Sequence, residues 1–226
     1  MSAHVVKPIA HIRSDFKTKF GIPRQAGIVE ELEALIVFEP EYREAEALRG
    51  IEDFSHLWLI WHFSEANQEG WSPTVRPPRL GGNVRVGVFA TRSPFRPNSL
   101  GLSCVKLIAV EDSAEGKVLR VGGADLMDGT PIFDIKPYVP YADCKIDASS
   151  GFAPDSGKTL SVEIPEELQH AFPAEKLGSL RAVLANDPRP RYQNDPERVY
   201  AMEFAGFEVK FKVSDSSVLV TGISRN

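Results

Sequence analysis

The sequence predicts a mainly β protein: a small antiparallel sheet system or barrel, followed by a smaller α+β domain. Three observations predict it. Short apolar or alternating runs, punctuated by Gly and Pro, fill the first two thirds of the chain. The composition shifts near Lys145, where residues 147–158, DASSGFAPDSGK, read as a linker or exposed loop. Beyond that point one helical pattern precedes one hairpin pattern. A chain of 226 residues suffices for one sizeable core and a second small one. The expected domains are therefore residues 1–146 and 147–226.

The elements follow in order. Ile28–Phe38 and Leu57–Phe63 are apolar runs, the second rich in aromatic residues, and both read as strands. Between them Pro40–Leu48 reads as a helix, with Pro at its first turn, Glu41 and Glu44 at its positive end and Gly50 after its end. Asn83–Ala90 alternates cleanly between two faces, and Leu102–Val110 and Lys117–Gly122 follow after turn signals. In the second domain Pro173–Ala185 places Leu177, Leu180, Val183 and Leu184 at helical spacing. Val199–Phe204 and Phe207–Val213 then form a hairpin across Ala205-Gly206.

The net charge of −5 hides a segregation of charge. Residues 76–106 carry Arg76, Arg79, Arg85, Arg92, Arg96 and Lys106 with no Asp or Glu, while acids gather in residues 30–53. Such blocks point to a local anionic site, or else to a solvated arginine face balanced by the acids. Cys104 and Cys144 lie far apart without metal-ligand spacing, as expected of reduced thiols. The first residues, MSAHVVKPIAHIRSDF, hold no apolar run of signal-peptide length, and no later stretch has the length of a membrane span. The expectation is a cytoplasmic protein with no membrane partner.

There is no G-x-G-x-x-G after a strand and no P-loop, so the usual fingerprints of dinucleotide and nucleoside-triphosphate sites are missing. His56 and His62 share a strand face about 20 Å apart, too far for one metal ion, and no metal is expected. Thr91–Ser103, TRSPFRPNSLGLS, carries more information. Pro94 and Pro97 stiffen it, Arg92 and Arg96 offer donors for carboxylate or phosphate, and Gly101 permits close approach of the backbone. A stiff polar loop between apolar strands suits a ligand site in an enzyme; the alternative is a turn whose arginines face water. Asp125–Tyr141, DLMDGTPIFDIKPYVPY, crowds Asp125, Asp128, Asp134 and Lys136 beside Tyr138 and Tyr141, as a ligand site or a salt-bridged turn. Gly21–Gly27, GIPRQAG, presents Arg24 and Gln25 on a turn with glycines at both ends.

Together with FSHLWLIWHF, these segments resemble the TsaA-like family, in particular its bacterial tRNA N6-methyltransferases acting on N6-threonylcarbamoyladenosine. The matching motifs cover roughly residues 7–145, and DPRPRYQ with VYAMEFAGFEVKFKV resembles the carboxy-terminal domain of the longer members. The resemblance implies a small β-barrel that binds S-adenosylmethionine without a Rossmann-type fold, and a homodimer with its active site near the subunit interface. It implies cofactor contacts from Pro23, Arg24, Gln25, His62, Phe63, Arg92, Leu102, Asp125, Leu126, Met127 and Asp128. The implied partner is the tRNA anticodon loop, with the modified adenosine just 3′ of the anticodon as substrate. The urea-like N6 needs to lose a proton, so Asp128, Asp134 and Tyr138 are candidate catalytic groups. Arg96, Asn98 and Lys136 are candidate substrate contacts. Arg189, Arg191 and Tyr192 suit either tRNA binding or a dimer-facing turn. A reading from another class is a non-catalytic β-barrel module that binds RNA or a nucleotide-like metabolite.

Overall fold

The computed structural model describes residues 4–66, 71–154, 159–189 and 195–226. Its first part contains β1 (Ala10–Arg13), β2 (Glu33–Phe38), β3 (His56–His62), β4 (Thr74–Val75), β5 (Val86–Gly87), β6 (Leu100–Ser113), β7 (Gly116–Gly122) and β8 (Pro131–Pro137). Six of these form a closed antiparallel barrel in the order β1-β2-β7-β6-β3-β8. Strand β1 completes the ring by pairing with β2 on one side and with β8 on the other.

Strand alternation decides what faces inward. On β3, Leu57, Leu59 and Trp61 are buried, while His56, Trp58, Ile60 and His62 are more exposed on the outer face. Ile12, Ile36, Val105, Leu119, Val121 and Ile132 complete the interior. Each such buried side chain contributes about 1.5–3 kcal/mol.

The register fixes where the loops gather. Arg13 pairs with Leu35, Glu33 with Gly122, His11 with Pro131 and His62 with Leu100. The loops 14–32, 63–99 and 123–130 therefore leave from one rim of the barrel. Two of them are stitched together: the Gly27 N–H donates to the Gly123 carbonyl at 2.8 Å, and the Gly123 N–H donates to the Leu32 carbonyl at 2.8 Å. Gly123 has φ +72, and a Cβ there would meet the Gly27 backbone at 3.2 Å, so glycine suits both its turn and this approach.

A short helix α1 (Pro140–Asp143) follows the barrel. The remainder adds β9 (Ser161–Glu163), α2 (Glu166–His170), α3 (Leu177–Ala185), β10 (Tyr200–Phe204), β11 (Phe207–Val213) and β12 (Ser217–Arg225). These strands form a sheet in the order β10-β11-β12-β9, with β9 parallel to β12. Leu180, Val183 and Leu184 of α3 pack on it. Phe16, Val29 and Leu32, from the loop after β1, belong to this second core, and Phe16 meets Phe204 at 5.2 Å between ring centres. The same loop thus reaches both the barrel rim and the second core.

Several sequence expectations change. The strand within Ile28–Phe38 begins only at Glu33, because Val29 and Leu32 serve the second core. Pro40–Leu48 is two 3-10 turns, Pro40–Tyr42 and Ala45–Leu48, rather than a helix. Neither turn buries a residue or has a side-chain cap, so nothing sustains an α-helix there. Gly50 beyond them is left-handed, with φ +82. Asn83–Ala90 shortens to β5, paired only with β4 in a two-stranded ribbon, and turns into a 3-10 segment at Val88–Ala90. Pro173–Ala185 divides into a 3-10 turn, Ala174–Lys176, and α3. The hairpin of β10 and β11 stands as expected, with β12 added beside it. Among the described residues no helix is long and apolar enough to cross a membrane, and no cluster of potential metal ligands occurs.

Candidate active site

The three rim loops and the outer face of β3 enclose a cleft of about 1050 Å³. It draws together Pro23, Arg24 and Gln25 from the first loop, His62 from the end of β3, Phe63, Arg92, Arg96 and Asn98 from the second loop, and Asp125 and Met127 from the third. Leu102 of β6 also lines it. Segments distant in sequence meet here because three alternate connections of the barrel, β1–β2, β3–β6 and β7–β8, lie at the same rim.

The best-defined polar feature is a buried chain of donors. The Trp61 Nε1–H donates to Ser103 Oγ at 2.9 Å, and the Ser103 hydroxyl donates to Asp125 Oδ1 at 2.6 Å. Burial pushes the Asp125 carboxyl above its ordinary value. The Ser103 hydroxyl, the backbone N–H groups of Asp125 and Ala26, and the Arg92 charge pull in the opposite direction. A carboxylate held this way in a cleft is suited to grip a hydroxyl or amine, or to accept a proton. Gly101 is required beside it: a Cβ there would run into the Trp61 indole.

The arginine loop largely holds its own shape. Arg92 donates to the Gln25 side-chain carbonyl, and the Gln25 amide donates to the Arg24 carbonyl, so the two motifs are joined across the cleft. Arg96 donates to the Thr91 carbonyl at 3.1 Å, and the Thr91 hydroxyl to the Val88 carbonyl at 2.8 Å. Arg92 thus lines the cleft while tied to Gln25, whereas Arg96 also braces its own loop.

Other expected site residues lie elsewhere. Asp128 is absent from the cleft wall: its carboxylate accepts the Ser14 N–H at 3.0 Å and pairs with Lys17. The Leu126 side chain is buried in the barrel interior, and its carbonyl accepts the Ser14 hydroxyl at 2.9 Å. Asp134 and Lys136 on β8 pair with each other at 3.0 Å, outside the cleft wall. Tyr138 packs against Trp58 and His56, again outside that wall. Arg189 is almost wholly buried and forks onto Asp187 at 2.8 and 3.0 Å, while its carbonyl accepts Arg24 at 3.1 Å. It supports the Arg24 side of the cleft instead of offering a free cation. Arg191 and Tyr192 fall outside the described residues.

Sequence reasoning missed Ser103, Trp61, Trp58, Phe89 and Phe95, all at or behind the cleft wall. Ser103 had a signal. Its place on an alternating strand, two residues from Gly101 and between apolar neighbours, puts a hydroxyl inside the barrel, where a partner is obligatory.

A closed barrel whose rim loops build a polar, aromatic-walled cleft without a Rossmann sheet defines a class of small-molecule-binding β proteins. Comparison with known proteins narrows it. Residues 11–144 match the tRNA-methyltransferase O N-terminal domain, and residues 158–226 match the TrmO C-terminal domain. The chain belongs to the tRNA-methyltransferase O family. It is 42% identical over 226 residues to the tRNA (adenine(37)-N6)-methyltransferase of Escherichia coli (strain K12), spanning 96% of both chains. It is 47% identical over 172 residues to the enzyme of that name from Eikenella corrodens, covering 75% of this chain and 97% of that one. The crystal structure of TrmO from Pseudomonas aeruginosa superposes with a TM-score of 0.80 at 34% identity, covering 99% of this chain and all of that one.

Proposed function

We propose that this chain transfers a methyl group from S-adenosylmethionine to N6 of the adenosine at position 37 of tRNA, beside the anticodon, in its threonylcarbamoylated form. The observation that carries the reading is the convergence of Pro23–Gln25, Arg92 and Asp125 on one cleft in a chain matched along its length by tRNA-methyltransferase O relatives.

The residues present fit the cofactor. A cleft of about 1050 Å³ is ample for a nucleoside-sized ligand. Arg92 suits a carboxylate, Asp125 suits hydroxyls or an amine, and Phe63 and Phe95 supply apolar wall. Bound there, S-adenosylmethionine supplies a methyl on a sulfonium centre, a cation that aromatic faces also favour. The chain's own work is to align the substrate N6 with that methyl and to exclude water. It must also receive the N6 proton, because a urea-like nitrogen is a weak nucleophile while it keeps it. Asp125 takes over this candidate role from Asp128, Asp134 and Tyr138, because it is the one of these four groups on the cleft wall. Leu100 and the well-exposed Leu102 form an apolar part of the cleft wall itself, suited to a homodimer contact that borders the cleft in this reading.

The test is transfer of label from S-adenosylmethionine to threonylcarbamoylated tRNA, with tRNA lacking that group as control. Incorporation confined to the modified tRNA is expected. A folded protein that labels neither RNA would refute the reading.

A further inference from the structure

We infer that the two-stranded ribbon beside the cleft carries a stacking platform, Trp71 and Phe89, for an unpaired RNA base neighbouring the target adenosine. The inference rests on the tRNA reading above and extends it to a surface outside the cofactor space.

The Phe89 side of the platform is anchored to the ribbon. The Val88 N–H donates to the Pro73 carbonyl at 3.0 Å and the Thr91 N–H to the Val88 carbonyl at 3.1 Å. The Val88 side chain is buried, which anchors the turn that bears Phe89. Pro73 and Pro77 stiffen the approach on the other strand. Trp71 is 54% exposed and Phe89 73% exposed, yet their rings lie 6.4 Å apart and only 28° from parallel. Two large rings held side by side in water on a stiff support leave outward π-faces uncovered. Phe89 also lines the cleft, so the platform begins at the cleft mouth.

The charge around it selects the occupant. The stretch 71–99 that bears both rings contains Arg76, Arg79, Arg85, Arg92 and Arg96 and no acid, against Glu65 on the adjoining cleft wall. Arg76 is exposed just after β4, and Arg85 is held along the ribbon by donating to Thr74 Oγ1 at 3.0 Å. Cations flanking exposed aromatic faces match a single-stranded polyanion whose bases stack and whose phosphates pair. A second copy of this chain matches poorly, because a two-fold contact centred here would press the arginine strip against itself. Stacking tolerates any base, so the platform fixes the loop's path without reading its sequence.

The test measures binding of a labelled anticodon stem–loop to the full chain by anisotropy, alongside steady-state kinetics on whole tRNA. Trp71→Ala is expected to weaken stem–loop binding and raise the KM for tRNA about tenfold, with S-adenosylmethionine affinity and saturated kcat within about twofold. Trp71→Phe, which keeps a ring, should restore most of the loss. Wild-type RNA affinity in Trp71→Ala overturns the platform, as does a wild-type chain that does not bind the stem–loop. A variant that instead changes its oligomeric state identifies a contact between copies and also overturns it. Ring-dependent RNA binding without methyl transfer would sustain the platform while sinking the transferase reading, so the two fail separately.

Discussion

Asp125 and Asp128 occupy the same rim loop and the same motif, yet their surroundings are opposite. The first is half-buried at the cleft wall, gripped by Ser103 and shifted toward its neutral form by its partial burial. The second points away, fixed by the Ser14 N–H and Lys17, while its own N–H donates to the Phe16 carbonyl at 2.8 Å. Gly129, left-handed at φ +77, turns the chain immediately afterwards. One acid therefore lines the cleft, and the other fastens the loop 123–130 to the loop 14–32. A cluster of acids in sequence is not a cluster in space; the backbone path divides it.

The strongest way to break this contrast is Asp125→Ala. Loss of a charged hydrogen-bond acceptor at the cleft wall should cost about 1.5–3 kcal/mol of ligand interaction, or roughly 10- to 100-fold in S-adenosylmethionine affinity. Calorimetric titration of the folded variant checks this. Unchanged affinity together with unchanged transfer would remove Asp125 from the site.

Ser103→Ala sharpens the contrast through pH. An Asp125 carboxyl raised above its unfolded value near 3.9 means that, between the two values, the folded state holds more protons. Its contribution to stability is therefore full below the unfolded value and is lost as pH rises through the folded one. Removing the Ser103 donor takes away a stabiliser of the ionised form, so the folded value should climb further and the window of loss extend to higher pH. It also leaves the buried Trp61 N–H without its acceptor, at about 1–3 kcal/mol near neutral pH. Urea midpoints across the acid range would show both effects, and a pH profile parallel to wild type would contradict the coupling.

Much of this was legible in the sequence because it is local. The alternation of β3, the stiffness from Pro94 and Pro97, and the polar character of the loop that holds Arg92 depend on neighbours in the chain, and the structure keeps the β3 and Arg92 segments at the cleft. What was not legible depends on distant partners. Barrel closure rests on a β1–β8 ladder of two residue pairs, which no periodicity announces. Val29 and Leu32 continue the apolar pattern of β2 but are buried in the other core, so the pattern runs past the start of the strand. Pro40–Leu48 carries helix-start chemistry but lays only Tyr42 and Leu48, partly buried, against the barrel core, too little to sustain an α-helix. The direction of Asp128 was equally invisible, since it is set by Ser14 and Lys17 from across the rim.

The smallest expected effect is also the sharpest discriminator. Asp128→Asn keeps a side-chain oxygen to accept the Ser14 N–H and removes only the charge facing Lys17. That lysine is 62% exposed, so the lost pair is screened by water and is worth about 0–1 kcal/mol. A fastening residue treated this gently leaves the loop in place, and kcat for tRNA methylation should remain within about twofold of wild type. A proton acceptor would behave differently, because an amide cannot take up a proton near neutral pH and kcat would fall by orders of magnitude. The same stability with a collapsed kcat would return Asp128 to the reacting centre and imply a loop rearrangement on substrate binding. Unchanged kcat leaves the division between the two acids standing, with Asp125 alone of the pair facing the chemistry.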